Sequence, residues 1–227
     1  LSLEDNLEKK LTELKNIKSK LAISCCKSLG EHVIPCSIYT FKEIHCNIDI
    51  SMTIDNTSDI LKKLSNRETN IGIIQGELND SENFETIQLL SDNLILVGGK
   101  NNNIKSISID ELYNLPLIVR ENGSANKSIL KNSLKNNSIN FNNLNVVLSL
   151  NSPQSIKSSI SFGQGYAFLP EISVTHELRS GIFKKISVNN IKFPFEYYIV
   201  FRKNYRLAPY EEKFIEFLTS KKRCFCY

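Results

Sequence analysis

The apolar positions along the chain switch between two spacings, and the switches predict alternating strands and helices. The clearest strand pattern is an alternation of apolar with polar residues at Ile48, Ile50, Met52 and Ile54. Helical spacing of the apolar residues then predicts a helix that ends at Ser65. Residues 71–74 form a continuous apolar run, which is typical of a buried parallel strand. With a strand predicted at 21–25 and a helix at 30–44, the first 75 residues predict a β-α-β-α-β unit of an open parallel sheet.

The alternation continues through the rest of the chain, so the predicted class is α/β. Further strands are predicted at 84–90, 93–97, 117–119, 146–150, 166–169, 183–188 and 193–202. Residues 91–92 separate the first two of these strands as a bend or a hairpin. Helices are predicted at 109–114, after 123–124, after 151–153, at 170–179 and at 208–220. An amphipathic helix over 3–14 either packs on its own domain or ends a longer linker that dimerises.

Charge and composition exclude several classes of function. The 227 residues carry 28 basic and 24 acidic side chains, and a net charge of +4 is too weak to imply nucleic-acid binding by this chain alone. No apolar run reaches the roughly 18–20 residues of a membrane helix. The first residues lack the basic start and apolar core of a secretory signal, so we expect a cytoplasmic protein with no membrane partner.

The six cysteines are expected to be reduced thiols, because a chain of this length needs no disulfide framework. They lack the CxxC pairs and the nearby histidines of a zinc site, so no metal is predicted. Cys26 lies beside Lys27 at a predicted helix start, where a thiol pKa is lowered. It is either a redox sensor or a small residue that lines a cleft.

Short polar loops lead from strands into helices at four places, 27–28, 56–58, 122–124 and 151–152. In an open α/β sheet, such loops lie at the carboxyl ends of the strands, where ligands bind. The N-terminus of each helix offers free N–H groups and a partial positive charge, which favour an anion or a carboxylate. Each loop taken singly is also explained as an ordinary N-cap. Taken together, the four loops predict a cleft for a small anion.

Motifs for catalysis are missing from the sequence. It contains no GxSxG, HExxH or P-loop, and the GxG at 163–165 follows a helix and not a strand. Glu121 has no paired acid or base that would indicate a hydrolase. We therefore expect neither an enzyme nor a bound cofactor.

The order of several segments is similar to that of the effector-binding domain of LysR-type transcriptional regulators. The similarity spans about 20–220 and rests on 21–41, 55–61, 71–76, 94–97, 106–112, 116–124, 152–157 and 163–170. The Arg-Glu-x-Gly-Ser run at 120–124 resembles the branch that includes the sulfur-assimilation regulators. Three departures from the family pattern are Cys46 in place of Pro, Asn70 in place of Asp, and Cys25-Cys26-Lys27 in place of small or hydroxyl residues.

This resemblance implies a type 2 periplasmic-binding-protein-like fold, with two Rossmann-like subdomains joined by two crossover strands. Subdomain I would be 20–79 plus 190–227 and subdomain II 80–189, with the crossovers near 76–84 and 187–193. Residues 1–19 would end a linker helix that dimerises. The implied protein is a homodimer or tetramer that binds DNA only through a helix-turn-helix outside this chain.

The implied function is to sense a small effector, an anion or a carboxylate, in the cleft between the subdomains and so to modulate transcription. Lys27 at a cleft position strengthens the case for an anion. The ten candidate ligand-binding residues lie at the strand ends: Cys26, Lys27, Ser28, Asn56, Thr57, Gln75, Glu121, Ser124, Asn151 and Ser152.

Two rival functions use the same fold. A transporter's solute-binding protein would carry a signal peptide or a lipidation cysteine, and neither is seen in this sequence. An enzyme such as a porphyrin-pathway deaminase would need a cofactor-bearing cysteine and an arginine-rich cleft, whereas this chain has few arginines.

Overall fold

A computed structural model of the chain describes residues 19–78, 82–189 and 191–225. The helix predicted over 3–14 lies outside the described residues. The strands are β1 (Ser19–Cys26), β2 (Ile48–Asp55), β3 (Ile71–Gln75), β4 (Phe84–Gly99), β5 (Ser106–Ile107), β6 (Leu117–Arg120), β7 (Val146–Leu150), β8 (Ala167–Pro170), β9 (Phe183–Val188) and β10 (Phe193–Arg202). The helices are α1 (Lys27–His32), α2 (Ile34–Ile44), α3 (Thr57–Ser65), α4 (Ile109–Asn114), α5 (Ala125–Asn136), α6 (Pro153–Ser161), α7 (Thr175–Arg179) and α8 (Pro209–Thr219). The α/β class predicted from the sequence is confirmed.

The first three strands form the predicted parallel unit. β1 lies between β2 and β3, with Leu21 opposite Ile50 and Ile23 opposite Ile71. The next neighbour, β10, runs antiparallel to β3 and then to β4, and the sheet continues through β9 to β5. β8 also pairs with β4, and β6 and β7 form a separate parallel pair. The carboxyl ends of β1, β2, β6 and β7 therefore lead into the four loops that the sequence indicated.

Strand β4 corrects one prediction, because residues 84–99 form a single strand of 16 residues where two strands were expected. Ser91 and Asp92 resemble turn residues in the sequence, but here they pair with Glu196 and Phe195 of β10. The pairing partner lies about a hundred residues away, so local composition could not reveal it. β4 and β10 are the two long antiparallel strands that connect the parallel unit to the rest of the sheet.

Two predicted helices are also divided. The helix expected over 30–44 begins at Lys27 and breaks at Val33, so that α2 starts with Pro35 in its first turn. Proline is tolerated there because first-turn N–H groups have no intrahelical partner. The segment expected as a helix over 170–179 is a 3₁₀ turn, Glu171–Val174, followed by α7. None of the helices in the described part of the chain is both long and apolar enough to cross a bilayer.

The cysteine prediction was wrong at one position, because Cys36 on α2 is disulfide-bonded. Cys25, Cys26, Cys46 and Cys224 are free thiols. The C-terminal segment packs along α2, where the Ser37 hydroxyl donates a hydrogen bond to the Cys224 carbonyl. Cysteines far apart in sequence are brought close by this packing, which sequence spacing alone could not predict.

Candidate functional site

A groove of about 710 Å³ lies between α3 and α5, and β10 contributes to its lining. Thr57 and Leu61 lie on the α3 side and Gly123 and Ser128 on the α5 side. Gln75 at the end of β3 also lines the groove. The groove thus lies at the carboxyl ends of β3 and β6, where the sequence predicted a ligand cleft.

Beside this groove, Ser28 is the centre of a buried polar cluster. Its hydroxyl donates to Gln75 Oε1 at 3.2 Å and accepts from the Tyr197 hydroxyl at 3.0 Å. The Cys26 thiol lies 3.7 Å from the same Ser28 oxygen. The predicted site residues Cys26 and Gln75 therefore meet at Ser28, which was also predicted. Tyr197 of β10, which sequence reasoning missed, bonds to the same Ser28 hydroxyl.

Burial and hydrogen bonding together set the pKa values of Tyr197 and Cys26 in this cluster. Burial, together with the nearby Cys26 and Asp92, raises the pKa of the Tyr197 hydroxyl, so that it stays a neutral hydrogen-bond donor. Burial alone would raise the pKa of Cys26 as well. The hydrogen bonds of Cys26 with Cys25, the Leu29 N–H and Ser28 outweigh burial and lower it. The two hydroxyls of the cluster have defined roles, since Tyr197 donates to Ser28 and Ser28 donates to Gln75.

A second group of predicted residues meets at Asn151. The Lys27 ammonium donates to the Asn151 carbonyl at 2.8 Å and so joins the start of α1 to the loop after β7. Arg120 makes a bidentate ion pair with Glu121, at 2.8 and 3.0 Å, and a longer contact of 3.4 Å with the same carbonyl. Although burial alone raises it, the Arg120 guanidinium holds the pKa of Glu121 below its ordinary value. The Lys27 ammonium is thus already hydrogen-bonded within the chain, and this bond connects α1 to the loop that follows β7.

Two of the predicted residues use their side chains as helix caps. Asn56 Oδ1 accepts from the Asp59 N–H at 3.0 Å, and the Ser152 hydroxyl accepts from the Ser155 N–H at 3.3 Å. Ser124, at the N-cap of α5, is buried and makes no side-chain cap bond. The start of α5 thus leaves its first-turn N–H groups without a side-chain cap, beside Gly123 in the groove.

Two buried polar atoms of residues that line this groove have no hydrogen-bond partner among the described residues. They are Thr57 Oγ1 and Gln75 Nε2, and both residues line the groove. Gln75 is only 7% exposed, so water cannot easily replace the missing partner. A buried polar group without a partner costs about 1–3 kcal/mol, so these atoms are the strongest sign of a ligand site in the groove.

Asp92 of β4 lies near the same cluster and was not predicted. Its carboxylate accepts from the Asn93 N–H at 2.8 Å and the Ile172 N–H at 3.3 Å. Burial raises the pKa of Asp92 to about 6, because the ionised form is poorly solvated there.

We expect the Asp92→Asn variant to gain stability relative to the native chain as the pH rises. A carboxyl whose pKa is raised in the folded state favours folding most at low pH, and that contribution is lost as the pH rises through about 6. Urea unfolding at a series of pH values is the measurement. The variant's free energy of unfolding, relative to that of the native chain, should rise by roughly 2–3 kcal/mol between pH 4 and pH 7.5. A difference that does not change with pH would contradict the assigned environment.

The residues missed by sequence reasoning lie inside strands, except for Arg120 at the end of β6. Tyr197 and Glu196 belong to the apolar run of β10, and Arg120 closes β6. Glu196 was the one detectable signal, since it is an acidic residue between the aromatic residues of a predicted strand. Within residues 19–78, 82–189 and 191–225, no three His, Cys, Asp or Glu side chains are grouped so that they could hold a metal ion.

Comparison with known proteins identifies the family. The family described as "LysR substrate binding domain" matches residues 15–223. A "Probable RuBisCO transcriptional regulator" of Thalassiosira pseudonana is 28% identical over 182 residues, which are 77% of this chain and 59% of the relative. The chain therefore spans less than two thirds of the length of this relative.

Two solved structures share the fold. The regulatory domain of Synechocystis PCC6803 CcmR in complex with 2-PG has a TM-score of 0.79 at 19% identity, over 88% of this chain and 96% of that one. The effector-binding domain of QuiR in complex with shikimate has a TM-score of 0.76 at 18% identity, over 88% and 95%. The expected type 2 periplasmic-binding-protein-like fold is thereby confirmed, and the chain belongs to the LysR substrate-binding domain family.

Proposed function

We propose that this chain is the effector-sensing part of a cytoplasmic LysR-type transcription regulator and that it binds a small anion or carboxylate. The observation that carries the proposal is the pair of unpartnered polar atoms, Thr57 Oγ1 and Gln75 Nε2, in a groove of about 710 Å³. The family match and the effector complexes of CcmR and QuiR support a sensor over a transporter component or an enzyme.

In the proposed division, subdomain I comprises 20–79 plus 190–227 and subdomain II comprises 80–189. The α3 and β3 sides of the groove then belong to subdomain I, and α5 belongs to subdomain II. A ligand that contacts both sides binds the closed arrangement better than the open one. Ligand binding would therefore shift the population of the two arrangements toward the closed one.

Self-association and DNA binding are further parts of the proposal. β7 is an edge strand of the β6–β7 pair and carries three exposed apolar residues, Val146, Val147 and Leu148. Exposed apolar edge strands are commonly covered by another chain, which supports a homodimer or a tetramer. DNA binding would reside in a helix-turn-helix outside this chain.

The Thr57→Val variant tests the proposed site. Its hydroxyl has no hydrogen-bond partner among the described residues, so the substitution removes an unfavourable buried polar group and should raise the free energy of unfolding by about 1–3 kcal/mol. A lost hydrogen bond to a charged ligand costs about 1.5–3 kcal/mol, so affinity for the best anion should fall by roughly tenfold or more. The measurement is a thermal-shift screen with sulfate, sulfite, phosphate and small carboxylates, followed by calorimetric titration.

Thr219→Val on α8 is the matched control, because its hydroxyl bonds only to the carbonyls of Ile215 and Glu216 in its own helix. It should leave anion affinity unchanged. Stabilisation by a cation, or by a neutral ligand that lacks a carboxylate, with none by any anion or carboxylate would overturn the proposed effector class. Sedimentation of the same samples reports whether the chain self-associates.

A further inference from the structure

Two acidic residues line the groove together with its unpartnered hydrogen-bonding groups. Glu77 and Glu196 both line it, and none of its described lining residues is a lysine or an arginine. The two glutamates are neighbours, since the N–H of Gly76, the residue before Glu77, donates to the Glu196 carbonyl at 2.8 Å. Partial burial, and also the negative charges of both carboxylates, raise the pKa of Tyr198. Glu196 accepts one hydrogen bond from Gln88 Nε2, and neither glutamate forms an ion pair with another described residue.

Three lysines of α3 and α5 are engaged in contacts with other residues. Lys63 pairs with Asp55 at 2.7 Å, Lys62 with Asp59 at 3.6 Å, and Lys127 donates to Asn122. Two carboxylates without a protein cation favour a positively charged group in the ligand. Since the described residues contain no grouped set of metal ligands, an organic cation fits this side better than a metal ion.

The hydrogen-bond donors of the groove favour a monoanion. They are all neutral: the Gln75 amide, the Thr57 hydroxyl and the uncapped start of α5. A carboxylate satisfies several such donors at once without requiring a protein cation. Gln75 and Glu77 are two residues apart, so their backbones are separated by at most about 7 Å. The groups offered to the carboxylate and to the ammonium end of a ligand are therefore carried by neighbouring positions of the chain.

We infer that the groove takes a small zwitterion of the amino-acid type, with its carboxylate on Gln75, Thr57 and the start of α5 and its ammonium group on Glu77 and Glu196. This assignment rests on the proposed function and specifies its effector. The hydroxyl and amide side chains between the two ends, among them Ser128 and Asn132, suit a polar ligand body.

Pairs of ligands that differ only in the amino group test the assignment. We would titrate the chain with L-serine and 3-hydroxypropanoate, L-asparagine and succinamate, L-glutamate and glutarate, and L-leucine and 4-methylpentanoate. In at least one pair, the amino acid is expected to bind tenfold or more tightly than its deaminated partner. The polar pairs should respond more strongly than the leucine pair.

Glu77→Gln combined with Glu196→Gln removes both charges and keeps the shape of the side chains, and the amide oxygen retains an acceptor for Gln88. This double variant should lose tenfold or more in affinity for the amino acid and change its affinity for the deaminated acid by less than twofold. Glu85→Gln, an exposed position on β4 outside the groove, is the control and should bind both ligands as the native chain does.

The outcomes separate this inference from the proposed function. Deaminated acids that bind as tightly as the amino acids, or a response to sulfate or phosphate alone, would overturn the zwitterion and leave the anion sensor standing. A chain that responds to no anion and to no amino acid would overturn both. A loss of amino-acid affinity in the Glu85→Gln control would also contradict the assignment, because the effect would then be a general effect of charge.

Discussion

Replacing Glu177 with alanine is expected to lower the free energy of unfolding by about 3–5 kcal/mol. Glu177 of α7 pairs with Lys157 of α6 at 2.9 Å, and the Lys157 side chain is only 4% exposed. Lys157 also donates to the Ser173 carbonyl, so the ammonium stays in place when its partner is removed. The loss is large because a buried ammonium is left without a counter-charge. Urea or guanidinium unfolding at pH 7 measures it.

Glu171→Ala is the matched control, since Glu171 pairs with Lys185 at 2.6 Å on the surface. Exposed pairs contribute at most about 1 kcal/mol, so this variant should unfold close to the native chain. Equal losses in the two variants would contradict the buried environment of Lys157. The double variant Lys157→Met with Glu177→Leu should recover most of the stability, because it removes both charges from the buried site.

This ion pair lies where α1 meets the second half of the chain. The His32 ring of α1 faces it, and burial together with the charge of Lys157 lowers the pKa of His32. Glu177 acts in the opposite direction and partly offsets that shift. Loss of Glu177 is therefore expected to loosen the packing of α1 as well as that of α6.

The parallel part of the fold was readable from the sequence because each strand carries its own pattern. β2 shows the alternation and β3 the continuous apolar run, and both lie where predicted. β4 was misread because Ser91 and Asp92 favour a turn locally, whereas pairing with β10 keeps them extended. A local sequence pattern does not show which distant strand a segment pairs with. The pairing of β4 with β10 connects the parallel unit to the rest of the sheet, so this connection could not be predicted locally.

The candidate site was predictable to the same degree. Strand ends predicted Ser28, Thr57 and Gln75 around one region, since parallel strands end on the same edge. In the structure Ser28 bonds to Gln75, and Gln75 lines a groove with Thr57. Whether a polar side chain caps its helix or faces a ligand depends on its rotamer, which the sequence does not specify. Asn56 and Ser152 therefore proved to be caps, whereas Thr57 kept an unpartnered hydroxyl.

Tyr197 illustrates the other limit. It follows Glu196 and precedes Tyr198 in an aromatic strand, and nothing in that run shows which ring turns inward. The register of β10 against β3, with Tyr197 opposite Gln75, decides that its hydroxyl reaches Ser28. Residues that complete a site from the interior of a strand need the register of the sheet before they can be identified.

Replacing Phe41 with alanine is expected to destabilise the chain by about 3–5 kcal/mol, through lost burial and the cavity left behind. Phe41 of α2 is fully buried, and its ring centroid lies 5.1 Å from that of Phe214 and 5.5 Å from that of Phe217, both on α8. Edge-to-face ring contacts add to the burial. Denaturant unfolding gives the free energy, and amide exchange should show faster exchange in α8 than in β3.

Phe162→Ala is the control for this substitution, because the same chemical change is made where the side chain is 84% exposed. It should alter the free energy of unfolding by less than about 0.5 kcal/mol. A Phe41→Ala loss below about 1.5 kcal/mol would mean that α8 can close over the cavity or that it does not pack on α2 as described. Because α8 belongs to the last part of the chain and α2 to the first, a large loss would establish that the two chain ends build one shared core.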